Sequence, residues 1–423
     1  MARNSTWNFR RSDDAGKYQE PKGDCVTDRT FAAPLAGVTV VELSRSVAAA
    51  YTGRLLATLG AQAILVEPPD GSPLRREPPF LPPANEASAL FAFLAAGKQS
   101  VLCDVTTSFG RMALSDLLAR ADVFVHDLRS AQRAAFELTE TALKQAHPNL
   151  IDVSVLPFGA CGPKADWQGE EINLVHASGE GFLLPNGLSA ELFPDRAPLK
   201  VHGYFAEYQG GVVAALGALS ALMTRDSGEA ESVDVSVQDA TLAVGAFALQ
   251  RFGDGSIEHR VTRSFRYGGV LECADGYVEL LTLEDRQWHG LIELMGRPGW
   301  AMDPALSDPL ERSRRGQEIN QAIRAWARKQ LSAELVARAQ ALGVPMAKYK
   351  SPAEVLTGQQ ERSRQLFQEV DIPGAGRLPI LVAPYHVDGA PLALQGGPPQ
   401  LGQHQHLLTP SEREQPVTAA EAS

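Results

Sequence analysis

Short apolar segments alternate with helix-like segments between residues 37 and 156, and this alternation is the strongest constraint on the fold. The apolar segments are GVTVVELS at Gly37–Ser44, QAILVEPP from Gln62, QSVLCDV from Gln99, ADVFVHDL from Ala121 and NLIDVSVL from Asn149. Helix-like AAYTGRLLATLGA and GRMALSDLLARA lie between them. Strands that alternate with helices predict a parallel, Rossmann-like α/β sheet with helices on both faces.

A second region begins near Arg266 and has a different pattern. RYGGVLECADGYVELLTL predicts paired strands around an Asp275–Gly276 turn, and two long helix-like segments follow it. We therefore expect a smaller α+β domain here. The predicted organisation is a disordered tail (1–33), a large Rossmann-like domain (34–225), a linker (226–262), the small α+β domain (263–350), a C-terminal return to the large domain (351–408) and a second tail (409–423).

Composition excludes several classes of partner. The net charge of −11 and the pI near 5.4 argue against nucleic acid, which requires a concentrated basic face. The longest apolar run, Gly210–Met223, is too short to span a bilayer, and the N-terminal segment has no apolar signal core. The four cysteines are scattered without a metal-like spacing. We therefore expect a cytoplasmic protein with no nucleic-acid, membrane or metal partner.

The stretch DWQGEEINLVHASGEGFLLPNG, Asp166–Gly187, concentrates groups that can carry chemistry. Ser178 lacks the G-x-S-x-G elbow of a serine nucleophile, and GEGF lacks the spacing of a phosphate loop. His176 could act as a base, although a lone histidine on a half-apolar helix is more often a packed side chain. These three features therefore give weak support to a serine, phosphate or histidine site.

Two adjacent glutamates in the same stretch, Glu170 and Glu171, are stronger candidates. The first turn of a helix favours a carboxylate because it complements the positive end of the helix dipole. Gly169 and Gly179 on either side would also let a ligand approach the backbone closely. From the residues alone, a nucleophilic carboxylate and a well-capped helix are equally supported.

Several segments in order resemble the class III CoA-transferases, a family that includes formyl-CoA transferase, carnitine CoA-transferase and α-methylacyl-CoA racemase. The resemblance runs from Pro34 to about Leu408. It rests on PLAGVTVVELSRSVAAAYTGRLLATLGAQAILVEPPDGSPLR, GKQSVLCDV, ADVFVHDLR, NLIDVSVLPFGACGP, ESVDVSVQDA, ADGYVEL, ALGVPMAKYKSPAEVL and PPQLGQHQHLL. The ordered set is specific, although each match alone would be weak.

The resemblance places the family's nucleophilic aspartate at Glu171. This residue lies eight positions after Pro163 and seven before Ser178, which are the family's spacings, and it begins an EIN sequence where racemase-like members have DIN. Glutamate is longer by one methylene, so its carboxylate reaches roughly 1.5 Å further. A misplacement of about 1 Å can cost about 100-fold in rate unless the pocket is reshaped.

The resemblance also implies that the large domain binds CoA. CoA carries a diphosphate and a 3′-phosphate, which a few arginine or lysine side chains can hold even in an acidic protein. Arg75 and Lys98 occupy family motif positions beside the nucleotide, and the Glu67–Pro68 pair belongs to the same opening segment. Arg76 is included only because it is adjacent to Arg75.

Other family positions differ, which indicates a divergent CoA pocket. Ala48–Ala50 replace the family's A-G-P, Leu65 replaces a basic residue, and Leu94–Ala96 replace an asparagine-rich stretch. Glu207 replaces the aspartate of A-D-x-x-x-G.

The mechanism that the resemblance implies transfers CoA from an acyl-CoA thioester to a carboxylic acid. The carboxylate forms a mixed anhydride with the acyl group and then a glutamyl-CoA thioester. The Gly159–Gly162 and Ser178–Gly181 turns are the expected oxyanion donors. An interlocked homodimer is also implied. Two alternatives stay open: an acyl-CoA racemase or isomerase, with His176 as its partner base, and a CoA-binding relative that has lost catalysis.

Overall fold

The computed structural model describes residues 33–184, 193–225, 231–245 and 267–408. The predicted disordered tails, 1–33 and 409–423, lie outside these ranges apart from Ala33. The described residues divide into two compact units. One contains residues 267–351, and the other contains the described residues from 33 to 245 together with 352–408.

A six-stranded parallel sheet forms the centre of the larger unit. The strands of this unit up to residue 245 are β1 (Thr39–Leu43), β2 (Gln62–Glu67), β3 (Phe80–Leu81), β4 (Ala87–Ser88), β5 (Gln99–Leu102), β6 (Val123–His126), β7 (Ile151–Leu156) and β8 (Ser232–Ser236). The sheet order is β5-β2-β1-β6-β7-β8, and β3 and β4 form a separate pair. This is the doubly wound order of nucleotide-binding folds. The predicted parallel α/β sheet is confirmed.

Helices cover both faces of this sheet. They are α1 (Val47–Thr58), α2 (Ala89–Ala95), α3 (Ser108–Leu118), α4 (Ser130–Ala135), α5 (Glu140–Ala146), α6 (Glu171–Ala177), α7 (Phe205–Thr224) and α8 (Val237–Val244). Val40 packs with α1 and α7 on one face, whereas Val41 packs with α3 on the other. Burial on both faces explains why the strands are continuous apolar runs. Among the described helices, none combines the length and the apolarity needed to cross a bilayer.

Residues 231–245 correct one predicted boundary. The linker predicted at 226–262 overlaps β8, which pairs in parallel with β7, and it also overlaps α8. The rest of that stretch, 226–230 and 246–266, lies outside the described residues. The five residues of β8 are too short to show a clear periodicity, and their partner strand is 80 residues away in the chain. Long-range pairing therefore decides that this segment is a strand.

The smaller unit contains three antiparallel strands and four helices. They are β9 (Gly269–Cys273), β10 (Gly276–Leu280), β11 (Met346–Lys348), α9 (Asp285–Leu294), α10 (Pro309–Arg314), α11 (Gly316–Ala327) and α12 (Ser332–Ala341). Trp288 and Ile319 are buried in its core. At the turn between β9 and β10, Asp275 accepts a 2.7 Å hydrogen bond from the N–H of Ser332.

The C-terminal segments complete the larger unit. They are α13 (Pro352–Leu356), α14 (Gln359–Ser363), the β12 (Phe367–Ile372)–β13 (Gly376–Leu381) hairpin, β14 (His386–Val387) and β15 (Ala390–Pro391). The chain then runs beside β5, where the N–H of Ser100 donates to Nδ1 of His404 at 3.1 Å.

The strand order reverses between β1 and β6, and this reversal positions the site. Ligands of open α/β sheets bind in the crevice at such a point, beyond the carboxyl ends of the strands. Asp127, just after β6, accepts hydrogen bonds from the N–H groups of Arg45 (2.7 Å) and Ser46 (2.6 Å), which follow β1. The side chain of Ser46 caps α1 by accepting from the N–H of Ala49 at 3.3 Å. Asp127 therefore ties together the two loops that form the crevice.

Candidate active site

A cavity of about 440 Å³ lies at this crevice. Its lining includes side chains that follow β1, β6 and β7 and others from the starts of α6 and α7; among them are Arg45, Asp127, Arg129, Glu170, Tyr204 and Glu207. A larger cavity of about 830 Å³ lies at the opposite edge of the sheet, beside Thr39, Gln62 and Gln99 at the starts of β1, β2 and β5. We assign the candidate site to the smaller cavity because the carboxyl edge carries the predicted carboxylates.

Glu171 is the first residue of α6 and is only 5% exposed. Its Oε1 accepts a hydrogen bond from the N–H of Ala206, and its Oε2 accepts one from the N–H of Glu207, both at 3.1 Å. These two N–H groups belong to the first turn of α7, where backbone donors have no acceptor within the helix. Backbone donors and the helix dipole therefore stabilise the negative charge on Glu171.

The neighbouring Glu170 has a different environment. It is exposed, it lines the cavity directly, and its N–H donates to Oδ1 of Asn173 at 2.9 Å. Gly169 precedes it, and a Cβ at Gly169 would lie 3.0 Å from Cβ of Pro157. Glycine therefore allows the chain to pass close to the end of β7. Glu170 then faces the cavity, whereas the side chain of Glu171 contacts the start of α7.

Glu207 is a third carboxyl group at the site, and it is only 8% exposed. Its Oε2 accepts a hydrogen bond from the N–H of Ala48 at 3.1 Å, in the first turn of α1. Burial raises the pKa of Glu207 to about 7; the N–H groups of Ala48 and Val47 oppose this shift, and the negative charge of Glu171 adds to it. Glu207 therefore keeps its proton to a higher pH than an ordinary glutamate does.

Arg75 and Glu67, which we expected to contact CoA, bind each other. Nε and Nη2 of Arg75 donate to the two carboxylate oxygens of Glu67, each at 2.7 Å, and the guanidinium lies 4.0 Å from the centre of the Phe91 ring. Burial disfavours the ionised form of Glu67, but hydrogen bonds from Arg75, Ser100 and Ser72 outweigh it and lower its pKa. The two residues therefore form a bidentate pair at the end of β2.

The remaining residues of the predicted nucleotide site also lie outside the smaller cavity. Pro68 follows β2 and is exposed. Arg76 is exposed and lies 3.5 Å from the carboxylate of Asp70, which is also exposed. Such a surface pair contributes at most about 1 kcal/mol.

Lys98 is buried, and its ammonium group donates hydrogen bonds to other groups of the protein. Nζ donates to Oε2 of Glu42 at 2.6 Å and to the backbone oxygen of Ala50 at 2.7 Å. Burial disfavours both charges, so it lowers the pKa of Lys98 and raises that of Glu42, while their mutual attraction opposes both shifts. The structure therefore shows a buried ion pair at the position where we expected a phosphate contact.

Comparison with known proteins identifies the family. The family model described as "CoA-transferase family III" matches residues 35–405. The chain belongs to CoA-transferase family III. It is 27% identical over 385 residues to the succinate–glutarate CoA-transferase of Agrobacterium fabrum, covering 88% of this chain and 94% of that protein.

Further relatives agree with this assignment. The succinyl-CoA–D-citramalate CoA-transferase of Chloroflexus aurantiacus is 27% identical over 379 residues, covering 88% of this chain and 92% of that protein. The crystal structure of a CaiB/BaiF family protein from Brucella suis superposes with a TM-score of 0.77 at 27% identity, covering 88% of this chain and 98% of that one.

Several groups that the sequence analysis considered for chemistry in this CoA-transferase have other contacts. The Ser178 hydroxyl donates to the backbone oxygen of Val175 at 3.0 Å. Two of the expected oxyanion donors, the N–H groups of Ser178 and Gly179, bond to carbonyl oxygens of α6. The N–H of Ala160 donates to the carboxylate of Asp234 at 2.9 Å. The structure therefore gives these three backbone donors internal acceptors.

His176 and Glu171 are not brought together. They lie five residues apart on α6, which corresponds to about 7.5 Å along the helix and different sides of it. The exposed His176 ring packs over Gly181, where an added Cβ would lie 2.1 Å from its Nδ1. His176 is therefore poorly placed to share a proton-transfer site with Glu171.

Two arginines of the cavity were missed by the sequence reasoning. Arg45 is exposed and Arg129 is half-buried; both line the cavity. Within the part of the chain that the structure describes, neither forms an ion pair. Each follows the carboxyl end of a strand that flanks the reversal of strand order, and ligand sites of open α/β sheets lie there. That rule could identify them once the strand order is known.

Proposed function

We propose that this family III CoA-transferase exchanges CoA between an acyl-CoA and a carboxylic acid through a covalent intermediate on Glu171. The observation that carries this proposal is the buried carboxylate of Glu171, held by two backbone N–H groups beside the cavity. Ionised carboxylates are the reactive form of such nucleophiles. Each Glu171 oxygen accepts one hydrogen bond from α7 and keeps a second lone pair for attack.

The reaction then follows in balanced steps. A Glu171 oxygen attacks the thioester carbonyl carbon, and the C–S bond breaks to give a mixed anhydride and CoA thiolate. The thiolate attacks the Glu171 carboxyl carbon and expels the first carboxylate, which leaves a glutamyl-CoA thioester. The acceptor carboxylate reverses these two steps and leaves as its CoA thioester. No net proton transfer is required, so the site can work without a general base.

The geometry supports glutamate at this position. Glu171 begins α6, and its side chain reaches the N–H groups of both Ala206 and Glu207 at the start of α7. An aspartate at the same backbone position would be shorter by one methylene and would not span the same distance. The additional methylene is thus matched to the position of α7.

We propose that Arg45 and Arg129 bind phosphate groups of CoA. Both line the cavity, and neither forms an ion pair among the described residues. Arginine donates in a fork that fits phosphate oxygens. Arg75 and Lys98 are weaker candidates because each already contacts a carboxylate, Glu67 and Glu42 respectively.

The structure favours transfer over the two alternatives. A racemase or isomerase requires a proton-accepting partner, and His176 is on another side of α6 from Glu171. An inactive relative would not need a buried carboxylate next to an open cavity. The named relatives act with succinate, glutarate or D-citramalate. We carry over to this chain only what these compounds share, a carboxylic acid group.

We also propose a homodimer. Helix α7 exposes Val212, Leu216 and Met223, with Met223 87% exposed. At about 100° per residue, these three side chains lie on one side of the helix. An exposed apolar stripe of this kind is typical of an interface between subunits. Sedimentation at nanomolar concentration should show a dimer, and a reversible monomer would contradict an interlocked assembly.

Trapping the intermediate tests the proposed function. Borohydride added during turnover should reduce a glutamyl thioester to an alcohol, which changes the mass of the peptide that contains Glu171. Glu171→Gln should abolish both the adduct and CoA transfer while CoA still binds. Glu170→Gln is the matched control, since it removes the adjacent, exposed carboxylate and should leave the adduct in place. An adduct on Glu170, or α-hydrogen exchange with deuterated water without any adduct, would contradict the proposal.

A further inference from the structure

We infer that the backbone N–H groups of Ala206 and Glu207 form the oxyanion site for reactions at the Glu171 carboxyl carbon. This inference rests on the covalent mechanism proposed above, and it assigns a catalytic role to the first turn of α7. It replaces the glycine turns that the family resemblance had suggested.

The two N–H groups are positioned before the reaction begins. They belong to the second and third residues of a 20-residue helix, so neither N–H group has an acceptor within α7. They lie 3.1 Å from Oε1 and Oε2 of Glu171. Ala206 is fully buried and Glu207 nearly so, and water therefore competes poorly for these donors. Tyr204 and Glu207 line the cavity, so the same turn also borders the space where substrate would lie.

Negative charge develops at this turn when the mixed anhydride reacts. The thiolate sulfur bonds to the Glu171 carboxyl carbon, and the C=O electron pair moves onto the retained oxygen, which becomes an oxyanion. Collapse restores the C=O bond and breaks the C–O bond to the departing carboxylate. One of the two N–H groups donates to the retained oxygen throughout, while the other oxygen serves as the bridging atom. Preorganised donors of this kind stabilise the charge without reorganisation.

The oxyanion donors that the family resemblance implied are less suitable. The N–H groups of Ala160, Ser178 and Gly179 already donate to Asp234 or to carbonyl oxygens of α6. Glu171 forms no ion pair within the part of the chain that the structure describes. The start of α7 is therefore where a charged intermediate at Glu171 would find its donors.

Backbone ester replacement tests the inference. Incorporating lactic acid at position 206, or 2-hydroxyglutaric acid at position 207, exchanges one N–H for an oxygen and keeps the side chain. The measured quantity is the single-turnover rate at which the preformed glutamyl-CoA thioester reacts with acceptor acid. Loss of the donor to the retained oxygen should slow this step by about 100-fold. Phenyllactic acid at position 205 is the matched control, because the N–H of Phe205 does not donate to Glu171, and it should leave the rate unchanged.

A spectroscopic measurement on the unmodified protein complements the variants. Hydrogen bonding lowers the infrared stretching frequency of the thioester carbonyl, so the glutamyl thioester should absorb at lower frequency in the native protein than a free glutaryl thioester does in an aprotic solvent. Equal frequencies would overturn the inference even if the ester variants failed to fold. Ester variants at 206 and 207 that both react at the control rate would also overturn it. In either case the adduct on Glu171 would still form, whereas failure of the proposed function would leave no adduct at all.

Discussion

Lys98 and Glu171 are both buried charged side chains in the larger unit, yet the protein stabilises them differently. Lys98 lies against the carboxylate of Glu42, and each neutralises the other. Glu171 is held by two backbone N–H groups, and among the described residues it has no cationic partner. An ion pair fixes both charges in place. Backbone donors stabilise a charge and leave the carboxylate available to form a new bond.

The arginine and lysine side chains of the larger unit also differ in whether they have an internal counter-charge. Arg75 is bound by Glu67, and Lys98 is bound by Glu42, so both fit structural roles around β2 and β5. Arg129 borders the cavity and, within the described ranges, forms no ion pair. The presence of an internal counter-charge therefore distinguishes residues that hold the fold from residues that can bind substrate.

The largest expected effect concerns the Lys98–Glu42 pair. Lys98→Met should lower the free energy of unfolding by about 3–5 kcal/mol, because it leaves Glu42 buried without a partner. Adding Glu42→Leu to this variant should recover most of the loss. Urea unfolding measures both. A Lys98→Met protein of normal stability with weakened CoA binding would instead support the nucleotide contact that the family resemblance implied.

The pH dependence of stability tests the buried Glu207. Its pKa is about 7 in the folded protein, whereas the ordinary pKa of a glutamate, which applies to the unfolded chain, is 4.5. Between these values the folded state holds a proton that the unfolded state has lost. Stability from this group is therefore complete below about pH 4.5 and falls as the pH rises to about 7, by up to about 3 kcal/mol. Glu207→Gln should remove this dependence in urea unfolding at several pH values. An identical pH profile in both proteins would show that Glu207 is ionised throughout.

Shortening the proposed nucleophile tests the fit between Glu171 and α7. Glu171→Asp should reduce the transfer rate by about 100-fold, because a displacement of about 1 Å misaligns the attacking oxygen. Steady-state kinetics with a saturating acyl-CoA measures this. Glu170→Asp is the control and should have little effect. A fully active Glu171→Asp enzyme would mean that the longer side chain is not matched to the position of the α7 donors.

A smaller effect on CoA binding is expected for Arg129, which lines the cavity. Arg129→Gln should weaken CoA binding by about 1.5–3 kcal/mol, the value of a hydrogen bond to a charged group. Arg76→Gln removes an exposed arginine outside the cavity and should change CoA affinity little. Calorimetric titration of CoA compares the two. Equal losses would show that the effect reflects overall charge and not a contact at Arg129.

Local patterns in the sequence were sufficient to predict the sheet but not its last strand. Strands β1, β2, β5, β6 and β7 are apolar runs, and this pattern predicts their burial on both faces. Strand β8 lies within the predicted linker; SVDVS is short, and its pairing with β7 makes it a strand.

The site was predicted in part, for a related reason. Motif spacing predicts Glu171 as the nucleophile, and this role stays a prediction; in the structure its carboxylate is held by the first turn of α7, next to the cavity-lining Glu207. The partners of Arg75 and Lys98 could not be predicted from spacing, since Glu42 lies 56 residues from Lys98 in sequence and meets it only in the folded sheet. Cavity residues such as Arg129 likewise become recognisable once the strand order is known.

Oxygen labelling of Glu171 tests the covalent mechanism most directly. The acceptor acid is supplied with ¹⁸O in its carboxylate, and Glu171 is examined by fragmenting its peptide in a mass spectrometer after turnover. An acceptor oxygen forms the anhydride bridge, and when CoA thiolate takes the acyl group this bridging oxygen stays on the enzyme. We predict ¹⁸O in the side chain of Glu171 and none in Glu170. Continued CoA transfer without label at Glu171 would contradict a covalent role for this residue.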